Sequence, residues 1–272
     1  MSDSNLDDAP SRAAAATAGA SERTWQMALD EGQADEALSR YQRQDLRDEA
    51  TLEELRTAAD LRSQLRAKAY ANANKLLEGT DLPASIIDWG KVRNQVDTLQ
   101  ESQEALDKLE PEAAIELLDG VDQPLLQAEA ETQRGTAKVY RNEPDAAAVH
   151  FGEALARDPK HYRALTNRGN LALEGGRVDD AIADYQHAIE INESFSNAHH
   201  NLGVAYRKKG DISRSVSSIR RAQRLLHRGD ADAARNRLGS GGTASGPRLG
   251  RWFFYGALAV VIYLVLRGQG II

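Results

Sequence analysis

Histidine, asparagine and acidic side chains are the residues of this 272-residue chain with the most chemical potential, but their spacing does not predict catalysis. The chain has no cysteine, which removes thiolate ligands and a cysteine nucleophile. His199 and His200 are adjacent, and adjacent side chains on a helix diverge by about 100°, which is unsuitable for a shared metal ion. There is no phosphate-binding or dinucleotide-binding glycine motif and no His-Glu-x-x-His pattern. The sequence therefore predicts a protein without a catalytic site, metal or cofactor.

Asparagine is the side chain whose spacing indicates recognition. Asn167, Asn170, Asn197 and Asn201 recur within a short stretch of the chain. An asparagine amide both donates and accepts hydrogen bonds, so it can pair with the N–H and C=O groups of a peptide backbone. A series of such amides suits the capture of an extended polypeptide with little regard to its sequence. Whether these amides act together depends on the elements that carry them.

The composition predicts that those elements are helices. Ala, Leu, Glu, Gln and Arg, which are strong helix formers, dominate the sequence, and aromatic residues make up 6% of it. Residues 1–20 are rich in Ala, Ser and Asp without apolar periodicity, and we expect them to be disordered. Apolar residues recur at helical spacing across residues 21–127, including a stretch from Asp48 to Leu77. The chain is therefore predicted to be all-α.

A repeat with a period of 34 residues begins near residue 128. Four columns of residues keep the same register: Gly135, Gly169 and Gly203; Ala147, Ala181 and Ser215; Phe151, Tyr185 and Ile219; and Ala154, Ala188 and Ala222. A fixed period of this length indicates stacked supersecondary units. We interpret each unit as a helical hairpin whose small residues let the helices approach closely. The large residue of each unit would then fill the space between neighbouring hairpins.

These columns resemble the tetratricopeptide repeat family, with three units over residues 128–161, 162–195 and 196–229. Asp230 to Leu238 is predicted to be a separate closing helix, as is common at the exposed end of a repeat array. The resemblance implies an all-α, tetratricopeptide-type solenoid of helical hairpins. Residues 21–127 would form an N-terminal helical extension of it, and residues 128–238 would hold the repeats and their cap.

In this family, the first helices of the hairpins line a concave surface that binds extended peptides or helices of protein partners. Matching those inward positions to this chain gives a candidate groove formed by Arg163, Thr166, Asn167, Asn170, Asn197, His200, Asn201, Val204, Arg207 and Arg235. The alternative interpretation is that asparagine occupies these positions for reasons unrelated to a ligand.

Some members of the family hold a terminal carboxylate of the partner in a clamp of lysine, arginine and asparagine side chains. Asn170, Asn201 and Arg235 fall at matching positions, but the two lysine positions hold Thr166 and Ala231. Because both lysine charges are missing, most of the attraction for a carboxylate is lost. The sequence therefore disfavours this type of clamp.

The end of the chain predicts a membrane anchor over residues 252–272, after a flexible linker over residues 239–251. The uncharged stretch ends at Leu266 and would span about 22 Å as a helix, which is short of a hydrocarbon core of about 30 Å. Arg267 can snorkel and so lengthen the span. The residues assigned to the membrane are Trp252, Phe253, Phe254, Tyr255, Leu258, Val260, Val261, Ile262, Leu264, Val265 and Leu266. The alternative, a core helix, is disfavoured by the linker.

Charge is unevenly distributed along the chain. The formal net charge of -7 combines -17 over residues 1–195, +9 over residues 196–251 and +1 at Arg267. Basic residues before the anchor predict that the repeats lie on the cytoplasmic side of a bacterial plasma membrane or, alternatively, on the outer face of an organelle. The basic region would either approach anionic lipid or simply keep the protein soluble. It lacks interleaved aromatic residues, so nucleic acid is not an expected partner.

Two functions remain open from the sequence. The first is a tail-anchored adaptor that recruits protein partners to the cytosolic face of a membrane through the concave groove. The second is a structural subunit of a membrane complex, in which the repeats pack permanently against other chains. An enzyme is not expected because no catalytic site can be assembled, and the oligomeric state is left open.

Overall fold

A computed structural model describes residues 25–44, 48–78 and 86–239, with side chains described as far as residue 228. All regular structure within these ranges is helical. The helices are α1 (residues 25–30), α2 (Ala34–Arg43), α3 (Glu49–Arg66), α4 (Tyr70–Glu78), α5 (Trp89–Asp107), α6 (Pro111–Leu118), a 3-10 turn (Pro124–Leu126), α7 (Gln127–Tyr140), α8 (Pro144–Arg157), α9 (Tyr162–Glu174), α10 (Val178–Ile191), α11 (Ser196–Lys209) and α12 (Ile212–Gly239). The chain forms two compact units, Met1–Leu226 and His227–Ile272, and the first contains the core described here.

The N-terminal helices share one apolar core with the first helix of the repeats. Leu61 and Leu65 of α3, Val96 and Leu99 of α5 and Ala130 of α7 are buried together. Because α7 contributes to this core, the N-terminal helices extend the repeat array directly. Burial of this shared apolar surface is what holds them on the repeats.

The apolar stretch from Asp48 to Leu77 forms two helices, where its spacing suggested one run of helix. The break lies at Lys68, whose φ of 55° is left-handed. The N–H of Lys68 bonds the carbonyl of Leu65 and the N–H of Ala69 bonds that of Gln64, which closes α3. Both helices bury one face in the same core, so apolar residues recur on both sides of the turn. The sequence pattern therefore does not indicate where α3 ends.

The 34-residue columns correspond to helical hairpins, as predicted. α7 pairs with α8, α9 with α10, and α11 with α12. A methyl group added at Gly169 would lie 2.7 Å from the Tyr185 ring, and one added at Gly135 would lie 2.5 Å from the Phe151 ring. The glycine column therefore exists because the large residue of the same hairpin rests against the helix backbone. The Phe151 ring also packs on Leu171 of the next hairpin, which matches the predicted space-filling role.

The predicted separate closing helix from Asp230 to Leu238 is wrong. α12 is a single helix from Ile212 to Gly239, so these residues continue the second helix of the third hairpin. Gly229 lies inside this helix without ending it, because one glycine in a helix costs only about 1 kcal/mol relative to alanine and no proline accompanies it.

None of the described helices is both long enough and apolar enough to cross a bilayer. The predicted disordered residues 1–20, most of the linker and the predicted membrane segment from Trp252 to Leu266 lie outside the described residues. Those expectations therefore stay predictions.

Candidate functional site

The candidate groove follows α7, α9 and α11, the first helices of the three hairpins. On α9 the side chains of Asn167 and Asn170 are half-buried. On α11, Asn201 and Val204 are also half-buried, and the exposed residues are Asn197, His200 and Arg207. Arg235 lies in α12, beyond the last residue whose side chain is described. These exposed and half-buried positions on α9 and α11 are available to a ligand.

Asn170 and Asn201 form a fixed pair across two neighbouring hairpins. The Tyr185 hydroxyl and the Asn201 Nδ2 both donate to Asn170 Oδ1, each at 2.8 Å. Burial raises the pKa of Tyr185, so its hydroxyl keeps its proton and acts as the donor. The Oδ1 of Asn170 is therefore occupied by hydrogen bonds from Tyr185 and Asn201 of the same chain. Its Nδ2 is left to donate elsewhere, and the Oδ1 of Asn201 is left to accept, with no partner for either among the described residues.

An open pocket of about 510 Å³, part of it solvent, adjoins this asparagine pair between α7 and α9. Its floor is apolar, because Phe151 and Leu171 are buried. Val139 and Tyr140 are 37% and 46% exposed, so both offer apolar surface to a ligand. The complete lining is Thr136, Val139, Tyr140, Phe151, Asn167, Asn170, Leu171 and Glu174. The pocket can hold an apolar side chain with amide groups at its rim.

Arg163 and Thr166 were assigned to the groove, and the structure shows that both are buried. The Thr166 hydroxyl donates to the carbonyl of Tyr162 at 2.8 Å within α9. Arg163 Nη2 donates to Glu129 Oε1 at 2.8 Å, and Arg163 Nη1 donates to the Leu65 carbonyl at 3.2 Å. The N-terminal helices cover this end of α9, so neither side chain is open to a ligand.

Glu129 is the centre of a buried polar cluster beneath the N-terminal helices. Its Oε1 accepts hydrogen bonds from Arg163, from the Tyr70 hydroxyl at 2.9 Å and from Gln133 at 3.0 Å. His161 Nδ1 accepts from the backbone N–H of Ala164, which leaves the proton on Nε2 to donate to Glu129 Oε2 at 3.0 Å. Burial alone would raise the pKa of Glu129, yet the charge of Arg163 and the His161 bond hold it well below its usual range.

A second cluster of charges joins α3 to the turn between α8 and α9. Asp158 in this turn contacts Arg62 Nη2 at 3.1 Å and Arg66 Nε at 2.6 Å. Arg66 also bonds Asp35 at the start of α2. Burial opposes ionisation of Asp158, but the charges of Arg62 and Arg66 still hold its pKa below the usual value. The two clusters form polar contacts between the N-terminal helices and the repeats.

Three side chains that could ligate a metal ion converge outside the groove. One ligand atom each of Glu131, His150 and Glu153 lies within 4.8 Å of the others. Glu131 is already bonded to Arg134 at 2.6 Å and to His150 at 2.7 Å. The guanidinium of Arg134 would repel a metal cation here, so we interpret the cluster as a hydrogen-bonded contact between Glu131 of α7 and His150 of α8.

α7 also lines the candidate groove, although none of its residues was predicted to do so. Thr136 lies 34 residues before Asn170, so the period itself marks it as an inward position. Tyr140 likewise lies 34 residues before Glu174, and both line the pocket. Glu129 likewise lies 34 residues before Arg163. No feature of the sequence indicated that these two side chains are buried, because the residues that cover them come from α3 and α4.

Family models confirm the type of repeat. Models described as tetratricopeptide repeat match residues 132–198 and 196–225, which is less than half of the chain. These residues therefore carry tetratricopeptide repeats. The matched segment includes α9 and α11 completely, together with their asparagine pair.

Several known proteins are similar to part of this chain. The tetratricopeptide repeat and J domain-containing co-chaperone DNJ1 of Fusarium oxysporum f. sp. lycopersici is 34% identical over 71 residues, covering 26% of this chain and 14% of that protein. DnaJ homolog subfamily C member 7 of Homo sapiens is 27% identical over 115 residues, covering 42% of this chain and 23% of that protein. The chain thus spans less than a quarter of either relative. Among solved structures, a crystal structure of MamA has a TM-score of 0.43 at 21% identity, covering 62% of this chain and 95% of MamA.

Proposed function

We propose that this protein is an adaptor that binds an extended segment of a partner protein along α7, α9 and α11. The asparagine pair carries the proposal. Asn170 has a free Nδ2 donor and Asn201 a free Oδ1 acceptor with respect to the described residues, because the tyrosine hydroxyl and the inter-asparagine bond use the other atoms. One donor and one acceptor on neighbouring helices suit the C=O and N–H groups of an extended backbone.

The adjoining pocket suggests what the bound segment carries. Val139, Tyr140 and Leu171 would pack around an apolar side chain of the partner. Glu174 is exposed at the pocket edge and has no ion pair among the described residues, so a neighbouring basic side chain would complement it. The preferred ligand is therefore an extended segment with an apolar residue next to a basic one.

The ligand is proposed to be an internal segment of the partner, without a role for its terminal carboxylate. Arg163 is neutralised by Glu129, and Thr166 is buried where a clamp needs a lysine. A carboxylate brought to this end of α9 would lose its hydration without gaining a charged partner from either side chain.

Two further points support recruitment as the role. One relative that is similar to part of this chain, DNJ1 of Fusarium oxysporum f. sp. lycopersici, is named as a tetratricopeptide repeat and J domain-containing co-chaperone. The apolar stretch from Trp252 to Leu266 supports attachment to a membrane, with the repeats on its cytoplasmic side, on sequence grounds alone. Together they describe a membrane-held adaptor.

The test replaces Asn170 with Asp in the full-length protein. Asn170→Asp keeps an oxygen acceptor for Tyr185 and Asn201 but removes the Nδ2 donor, so the fold should persist while the partner is lost. Asn94→Asp, which adds the same charge at an exposed position of α5, is the matched control. Photocrosslinking in native membranes would compare the partners of both variants, and circular dichroism would verify folding.

Loss of crosslinked partners in Asn170→Asp alone would support the groove. Unchanged partners in both variants would place the contacts elsewhere. The alternative of a structural subunit, with its repeats packed permanently against other chains, would then be favoured.

A further inference from the structure

The last helix of the array carries an exposed apolar and basic face. Ile212 and Val216 of α12 are 59% and 41% exposed. Arg220 and Arg224 continue the series at intervals of four residues and are also exposed, so these residues lie along one side of the helix. With Ser213 and Ser217 they border an open concavity of about 850 Å³, part of it solvent. We name Ile212, Val216, Arg220 and Arg224 the α12 face.

The preceding hairpin shows what normally covers such a face. Val178 and Ile182 of α10 lie 34 residues before Ile212 and Val216. Ile182 is only 8% exposed, because it packs in one cluster with Leu202 and Tyr206 of α11. The same side of α10 is therefore covered by the first helix of the following hairpin. The described residues provide no such helix for α12.

A polar contact at the same junction indicates the chemistry of the missing helix. Gln186, which lies 34 residues before Arg220, donates its Nε2 to the Tyr206 hydroxyl of α11 at 3.2 Å. By equivalence with Gln186, Arg220 would contact a helix that packs on α12. Neither Arg220 nor Arg224 has an ion pair among the described residues, so an acidic side chain on the covering helix would complement their charge.

We propose that the α12 face binds an amphipathic helix of a partner protein that carries acidic residues. The helix would lay small and apolar residues against Ile212 and Val216, as α11 does against α10 at Val178 and Ile182. Its Asp or Glu side chains would lie opposite Arg220 and Arg224 and form the charged hydrogen bonds that guanidinium groups favour. This site is separate from the groove and engages a helix, whereas the groove engages an extended chain.

The experiment uses the full-length protein and a pair of synthetic helical peptides of about 18 residues, long enough to populate helix in water. One peptide has Ala and Leu on one face with Glu along its flank, and its twin has Gln in place of every Glu. Fluorescence anisotropy would report binding. We expect the Glu peptide to bind at least about tenfold more tightly than the Gln peptide.

Two protein variants locate the binding to the α12 face. Val216→Asp should abolish binding of the Glu peptide, because it places a like charge in the apolar contact. Arg220→Glu with Arg224→Glu should weaken the Glu peptide by about tenfold or more and create binding of a Lys version of the peptide. The matched control is Arg56→Glu with Arg177→Glu, which changes the same charge at exposed positions elsewhere and should leave binding unchanged.

Three results would overturn the proposal. The first is equal binding of the Glu and Gln peptides, or no binding by the full-length protein. The second is binding of the Glu peptide that persists in Val216→Asp. The third is a dimer in light scattering that Arg220→Glu with Arg224→Glu dissociates, because a second copy of the chain would then cover the face.

Discussion

At the scale of single residues, Glu129 bears on both stability and the limits of the binding site. Its carboxylate accepts bonds from Tyr70, Gln133, His161 and Arg163. Buried charges of this kind rarely add stability compared with a well-packed apolar substitute, but removing one partner is costly. The cluster also withdraws Arg163 from the groove, so it determines which charges a ligand can meet.

Replacing Glu129 with Gln should destabilise the protein by about 3–5 kcal/mol, because the charge of Arg163 would be left buried without a counterion. Urea unfolding at neutral pH would measure the loss. Combining Glu129→Gln with Arg163→Met should recover a substantial part of it, since the unpaired charge disappears. Equal stability of the single and double variants would show that the Arg163 charge is not what makes the single change costly.

Acid should destabilise the protein through Glu129 and Asp158. The folded pKa of each carboxylate lies below its unfolded value. Their contribution is therefore fully present above an unfolded pKa of about 4 and is lost as pH falls through the folded values, because the unfolded chain binds protons first. Urea unfolding from neutral to acidic pH should show this decline. Glu129→Gln should have a shallower decline, and an unchanged slope would contradict the assignment.

At the scale of helices, each hairpin depends on a large side chain resting on a glycine. Gly169→Ala should destabilise the protein by about 1–3 kcal/mol, since its methyl group would lie 2.7 Å from the Tyr185 ring. Gly152→Ala is the matched control within a helix, because a methyl group there meets no atom within 4 Å. It should stabilise the protein by about 0.5–1 kcal/mol. Thermal unfolding would measure both, and equal effects would refute the packing argument.

The sequence predicted these hairpins well because their defining contact lies within one period. Gly135 contacts Phe151, and Gly169 contacts Tyr185 34 residues later. The repeating residue types therefore predict this contact in each hairpin. Only some of the residues assigned to the candidate groove are accessible. Asn170 and Asn201 are available, but Arg163 is buried by α3, whose packing on α9 no periodic signal reveals. Contacts between a repeat and a non-repeating segment are therefore the part that could not be predicted.

At the scale of the whole described unit, charged contacts join the N-terminal helices to the turn before α9. Arg66→Ala should destabilise the protein by about 3 kcal/mol, because Asp158 and Asp35 lose a shared partner. Hydrogen exchange should become faster in α2 and α3 and remain slow in α9 and α10. Arg56→Ala removes only an exposed pair with Glu53 and should change little. Equal acceleration in all four helices would mean that the unit opens as one body.

The bond between Arg163 and Glu129 joins equivalent positions of two successive repeats, 34 residues apart. Repeat arrays commonly grow by duplication of a unit, and engineers lengthen them by inserting a consensus copy. A unit inserted between α8 and α9 would separate these two residues and leave each buried charge without its counterion. A unit added after α10 would leave the pair intact. We therefore expect that a unit added after α10, by evolution or by design, is tolerated, whereas a unit inserted between α8 and α9 destabilises the protein.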